Sequence, residues 1–319
     1  MLRPLLIATT LAANASWLHA VNPFVIAADA RPRVAGGKLI TDAFDDSTST
    51  LVQNVRTFGW QFQSIPGDPY FIQDPGFNAV AGSGLQGGSF IGFNVSRGLS
   101  FFSGSEPVDL GQIPVGFGQT PAGESLSFSF GAGTVGISST TAAQPGFNFS
   151  SVAANGSLHR HLNANLNPGT LATPSKGIYF TSIRLTNTAG AAPSDALFLL
   201  FNNGAAPADF SRALDYVANP FAGDADFSGS VTLDDFTALA ANFGSPGEQF
   251  WYDGDFNDDY QVNLDDFTAL AANFGLAAPS GLPRDSAIPE PTSLTFALVV
   301  ASQLFLRRRT RVSSSLQEV

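Results

Sequence analysis

One phrase is written twice in this chain. GDADFSGSVTLDDFTALAANFG at residues 223–244 returns as GDFNDDYQVNLDDFTALAANFG at residues 254–275, identical at 15 of 22 positions. Duplication commits this region to two copies of one small unit rather than to a single continuous element. The phrase is also where the charge lies. Eleven acids and no Lys or Arg fall between Gly223 and Gly275, so the other 15 acids are matched by the 15 bases and the repeat carries the whole net charge of −11. An anionic block of this kind recruits cations and argues against nucleic acid as a partner.

Spacing within each copy predicts a calcium loop. Counting twelve positions from Asp224, side-chain oxygens fall at 1, 3 and 5 (Asp224, Asp226, Ser228), Gly229 takes the tight turn at 6, and Ser230 offers its carbonyl at 7. Thr232 stands at 9 and Asp235 at 12. Ca2+ needs six to eight hard oxygens, which this spacing gathers while Val231 points inward. Phe236, Leu239, Ala240 and Phe243 then recur at the i, i+3, i+4, i+7 interval of a short amphipathic helix, closed by Gly244. The second copy keeps the register only from Asp255, giving Asp255, Asn257, Asp259, the carbonyl of Gln261, Asn263 and Asp266, with an additional acid at Asp258. Its position 6 is Tyr260. A tyrosine forced to positive φ costs about 1–2 kcal/mol that glycine avoids, so the second loop is expected to be the weaker.

A calcium loop followed by one helix, twice, resembles the dockerin type I module, whose whole length Asp224–Phe274 covers. The resemblance implies folding on Ca2+ and docking onto a cohesin-like domain in polysaccharide-degrading assemblies. Cellulosomal members carry a small hydroxyl pair at positions 10 and 11, where this chain has Leu233-Asp234 and Leu264-Asp265. The matched helices can form a pseudo-twofold docking face from Phe236, Leu239 and Phe243 with Phe267, Leu270 and Phe274, or the same residues can form the module's own core.

Ahead of the repeat, short apolar or alternating runs separated by Gly, Pro, Asn and Ser predict strands at TFGWQFQSI, SFIGFNVS, SLSFSFGAG, TVGISST, GIYFTSIRLTNT and ALFLLFNN. The expected fold is mainly β: an antiparallel β-sandwich, jelly-roll-like, over 31–220, with a closing helix at Ser211–Ala218, then the α-helical calcium-loop module over 221–276. The pattern DPYFIQDPGFNA, SLHRHLN, GIYFTSIRLTNT and APSDALFLLFNNG is similar to a sandwich domain of planctomycete sorting-signal proteins, which implies a fold and no activity. His159 and His161 form H-x-H, which on a strand places both imidazoles on one face. Two ligands are too few for a metal, and Asp68 and Asp74 are the candidate partners. Asp68, Asp74 and Glu124 also admit a paired-carboxylate reading. The absence of cysteine excludes disulfides and thiolate metal sites, and no Ser-His-Asp, G-x-S-x-G or phosphate-loop signature is present.

The two ends read as addresses. Arg3, an apolar run and small residues give a signal peptide over 1–30, cut after Ala20 or after Ala30. After a linker at 277–287, Pro289, Glu290 and Pro291 precede fifteen uncharged residues and then Arg307, Arg308 and Arg309. This order resembles the PEP-CTERM sorting signal (288–311), with a C-terminal hydrophobic transmembrane helix and a cytoplasmic tail at 312–319. It implies export, a cell-envelope location, membrane attachment and an exosortase-type processing enzyme; an ordinary C-terminal anchor gives the same pattern. The functional expectation is a non-catalytic structural or binding protein, with surface polysaccharide as one partner for the sandwich. The alternative is an enzyme or subunit of a polysaccharide-degrading complex.

Overall fold

A computed structural model describes residues 22–45, 50–62, 70–104 and 115–276. Sixteen strands run through the described residues: β1 (Phe24–Ile26), β2 (Asp29–Ala35), β3 (Lys38–Asp45), β4 (Thr50–Val52), β5 (Thr57–Gln61), β6 (Phe71–Ile72), β7 (Gly76–Ala79), β8 (Phe90–Phe102), β9 (Gly118–Gln119), β10 (Ser125–Phe130), β11 (Gly133–Ser138), β12 (Gln144–Ser151), β13 (Leu158–His161), β14 (Asn163–Asn167), β15 (Gly177–Asn187) and β16 (Leu197–Asn203). Three α-helices follow, α1 (Pro207–Ala218), α2 (Leu233–Asn242) and α3 (Leu264–Asn273). The largest sheet has the order β1-β5-β16-β15-β8-β12, with β9 on β8; the others are β11-β10-β14-β6 and β13-β7-β2-β3-β4.

The solid apolar run of β16, LFLLFNN, is explained by burial on both faces. Leu197, Leu199 and Phe201 join Tyr179, Ile183 and Leu185 of β15 in the core shared with the smaller sheets. Their neighbours Phe198, Leu200, Ile178 and Phe180 face the other way, into a second core closed by Phe210, Ala213, Leu214 and Val217 of α1. That helix spans four residues more than its expected start at Ser211, because Pro207 takes the first helical position, where the missing N–H costs nothing.

All six expected strands are found, and the mainly-β class with a small helical region at the end of the described chain holds. Pairing is not wholly antiparallel. β5 runs parallel to both β1 and β16, and β2 is parallel to β7. Strand structure begins ahead of residue 31, the expected start of the sandwich. β1 and the first two residues of β2, Asp29 and Ala30, lie before residue 31, and Ala30 is buried. A cut after Ala30 would remove one strand and split another; Ala20 lies outside the described residues.

The expected transmembrane helix requires correction. Among the described residues no helix is long and apolar enough to cross a membrane. The longest, α1, has 12 residues, about 18 Å against a hydrocarbon core of about 30 Å. The segment on which the expectation rested, with Pro289, Glu290, Pro291, Arg307, Arg308 and Arg309, lies outside the described residues. Membrane attachment through a helix, and the envelope-anchored location and partners inferred from it, are therefore not supported among the described residues.

Candidate metal centre

Each copy of the repeat folds as a loop running into a ten-residue helix. In the first loop the Asp224 carboxylate accepts the N–H groups of Ser228 (3.0 Å) and Gly229 (2.9 Å), and the Tyr216 hydroxyl of α1 also donates to it. Asp226 accepts the Ser228 N–H at 2.8 Å. Asp235 accepts from Ala225 and Thr232, both at 2.8 Å. These bonds turn positions 1, 3 and 12 inward, so one carboxylate oxygen from each of Asp224, Asp226 and Asp235 lies within 4.8 Å of the others. The Ser228 hydroxyl donates to the Ser230 carbonyl at 3.3 Å. Thr232 is the N-cap of α2, its side chain accepting the Asp234 N–H.

The second loop repeats this pattern. Asp255 accepts from Asp259 (3.2 Å) and Tyr260 (2.8 Å), and Asp266 from Phe256 (2.7 Å) and Asn263 (2.9 Å). Asn257 accepts the Asp259 N–H and Asp259 the Gln261 N–H, while Asn263 caps α3. Position 6 is left-handed in both copies, Gly229 at φ 83° and Tyr260 at φ 66°. Position 4 is left-handed too, in Phe227 (φ 62°) and Asp258 (φ 59°). Aspartate is one of the residue types enriched in that conformation, whereas phenylalanine gives no signal of it in the sequence.

Asp224, Asp235, Asp255 and Asp266 are fully buried. Burial, with Asp226 alongside, pushes the Asp224 carboxyl up to about 8. Burial likewise raises Asp255 to about 6 and moves Asp235 and Asp266 upward. Among the described residues no Lys, Arg or His nitrogen approaches these four carboxylates within 4.0 Å. Buried carboxylates without a counter-charge are costly unless a cation joins them, so the converging donor set of the first loop fits a hard divalent ion; the acids of the second loop do not converge within the same distance.

The repeat is not held at arm's length by a linker. Phe227 is fully buried against Phe180 and Phe198 of the large sheet, at ring separations of 5.1 and 5.5 Å, and its carbonyl accepts the Phe117 N–H. The Arg97 guanidinium of β8 lies over Phe180 and Phe227 and donates to the Asp226 carbonyl at 3.2 Å; burial pulls it down to about 10. On the second loop Arg56 pairs with Asp258 at 2.7 Å, and the Lys38 ammonium stands 4.0 Å over the Tyr260 ring. Trp251, between the copies, donates its indole N–H to the Asp224 carbonyl at 2.7 Å. The helices bury Leu239 and Leu270, while Phe236, Phe243, Phe267 and Phe274 stay exposed. The module's core is therefore built by Ala225, Val231, Leu239, Phe256, Val262 and Leu270 rather than by the helix phenylalanines.

Elsewhere, Glu124 is fully buried and its two oxygens accept from Ser175 N–H and the Tyr179 hydroxyl, both at 2.6 Å. That is a structural anchor. Asp68 lies outside the described residues. His159 and His161 do share a face of β13, and the structure adds Asp29, a residue that no local pattern links to them.

No family model and no curated protein matches the chain. Solved structures with partial likeness include the CooA pilin subunit of enterotoxigenic Escherichia coli, at 11% identity and TM-score 0.26, covering 49% of this chain and 94% of that one. A type II cohesin–X–dockerin complex from Acetivibrio cellulolyticus gives 14% identity and TM-score 0.14, covering 53% and 95%. Scores this low do not establish a shared fold.

Proposed function

We propose that this chain is a calcium-stabilised structural or binding protein. Its duplicated, dockerin-like loops each take Ca2+ and thereby fasten the helical module onto a sandwich-like β domain. The observation that carries this reading is Asp224. It is the first ligand of the first loop, it is buried without a basic partner, and Tyr216 of α1 and Trp251 of the inter-repeat segment both bond it. A cation at this point neutralises the three converging carboxylates and fixes groups from three separate segments. Ser228, Ser230 and Thr232 in the first loop, and Asp255, Asn257, Asp259, Gln261, Asn263 and Asp266 in the second, complete the ligand assignment.

The test is a calorimetric Ca2+ titration of the full chain, with thermal unfolding alongside. Two binding events are expected, the weaker lost in Asp255→Ala and the stronger in Asp224→Ala. Saturation at a hundred times the dissociation constant should raise stability by about 2.7 kcal/mol per site. No heat and no shift in melting at millimolar Ca2+ would sink the reading and leave the repeat as an acidic packing unit.

A further inference from the structure

We propose a second and chemically different metal centre on the β domain, formed by Asp29, His159 and His161 and suited to a first-row divalent transition ion, with zinc as its probe. His159 Nε2 and His161 Nε2 stand 3.0 Å apart. Asp29 Oδ2 is 3.3 Å from the former and Asp29 Oδ1 3.8 Å from the latter. Three donors around one zinc at bond lengths of about 2.0–2.1 Å in a tetrahedron are separated by about 3.4 Å, and the three spacings here straddle that value. Two imidazoles and one carboxylate select a transition ion, whereas the all-oxygen loops of the repeat select Ca2+.

The site is built by three adjacent strands. Asp29 begins β2, Gly76 begins β7, and His161 ends β13, directly opposite Gly76. Ala30 pairs with Phe77, which brings Asp29 to the other side of the same glycine. A Cβ at Gly76 would lie 2.0 Å from Asp29 Oδ1 and 2.7 Å from His161 Cε1. The glycine therefore leaves open the floor on which the carboxylate and imidazole meet. His159, two residues earlier on the strand, projects to the same face.

The tautomer of His161 is also set for ligation. Its Nδ1 lies 3.0 Å from the Gln73 carbonyl, which only accepts, and 3.3 Å from Asp74 Oδ1. A proton held at Nδ1 leaves the Nε2 lone pair facing the Asp29 carboxylate and His159 Nε2, where a cation can join all three. Carboxylate or carbonyl support behind a ligating histidine is the usual outer-shell arrangement. Side-chain exposure of 60% at His159 and 38% at His161 leaves the fourth coordination position to water or an external ligand.

The experiment uses the full chain with Ca2+ in saturating excess, so that the oxygen loops are filled, and titrates Zn2+ by calorimetry and Co2+ by visible absorption. One Zn2+ per chain is expected, with the intense bands of four- or five-coordinate Co2+. His159→Ala and Asp29→Asn should each weaken binding at least tenfold, and Gly76→Ala should do the same by filling the floor, while Ca2+ binding and melting temperature in His159→Ala stay unchanged. Zn2+ binding should persist in Asp224→Ala, which separates this centre from the calcium reading. Absence of a Zn2+ event, or one indifferent to His159→Ala and Asp29→Asn, would overturn the proposal.

Discussion

Phe227 holds a left-handed backbone conformation that costs a non-glycine residue about 1–2 kcal/mol, and it does so inside the loop expected to bind Ca2+. The return is burial of the whole ring against Phe180 and Phe198 and beneath Arg97. Position 4 of the first loop is thus the plug that joins module to sheet, while the carboxylates of positions 1, 3 and 12 converge on one point. Phe227→Ala should cost about 3–5 kcal/mol in chemical denaturation, with the Ca2+ ligands untouched. A loss below 1 kcal/mol would show that the ring is not part of the core. The oxygen pattern of the loop was legible in the sequence because ligand spacing is local. The plug was not, because a phenylalanine four residues into a loop reads the same whether it faces solvent or a sheet 47 residues upstream.

At the level of elements, the two loop–helix units are interlocked rather than set side by side. The residue before each loop packs on the opposite helix: a Cβ at Gly223 would lie 3.0 Å from Leu270 Cα, and one at Gly254 2.7 Å from Leu239 Cα. Gly254 also has φ 105°, open to glycine alone among the twenty. Gly254→Ala should therefore lower the stability of the Ca2+-saturated chain by at least about 1–2 kcal/mol, read as a fall in melting temperature. An unchanged melting temperature would mean that the units do not pack across each other. The duplication announced two like units, and helices α2 and α3 fall where the sequence places them. What it did not announce was that Leu239 and Leu270 would be the buried members of each face and the phenylalanines the exposed ones. Strands showed a parallel division: β5, β8, β10, β11, β15 and β16 carry dense β-branched and aromatic runs, whereas β2 (DARPRVA) and β12 (QPGFNFSS) gain their strand character from neighbours alone.

Over the whole molecule, the acidic repeat meets the cations of the β domain. Arg56 pairs with Asp258, and Arg184 and Lys38 both reach Glu248. Exposed pairs of this kind contribute about 0.2–1 kcal/mol each, so they orient the module more than they hold it; the apolar contact of Phe227 carries the attachment, together with the loop ions under the proposed calcium reading. Chelating Ca2+ from the full chain should loosen that attachment at Trp251, whose indole bonds the Asp224 carbonyl. The expected result is a shift of tryptophan emission to longer wavelength, absent in Trp251→Phe. Emission unaffected by chelation would place the module's docking outside calcium control.

The last described residues give the attachment a direction. Val231 of the first loop donates to the Leu276 carbonyl at 2.8 Å and accepts from Gly275 at 2.9 Å, so the end of the second copy is tied back to the first. Load applied along the chain beyond Leu276 is therefore delivered to this paired backbone bond before it reaches α3. From Val231 it passes into the loop that Phe227 anchors in the sheet. The repeat behaves as a buckle: tension enters at the strap end, is shared between two tongues, and is borne by the frame.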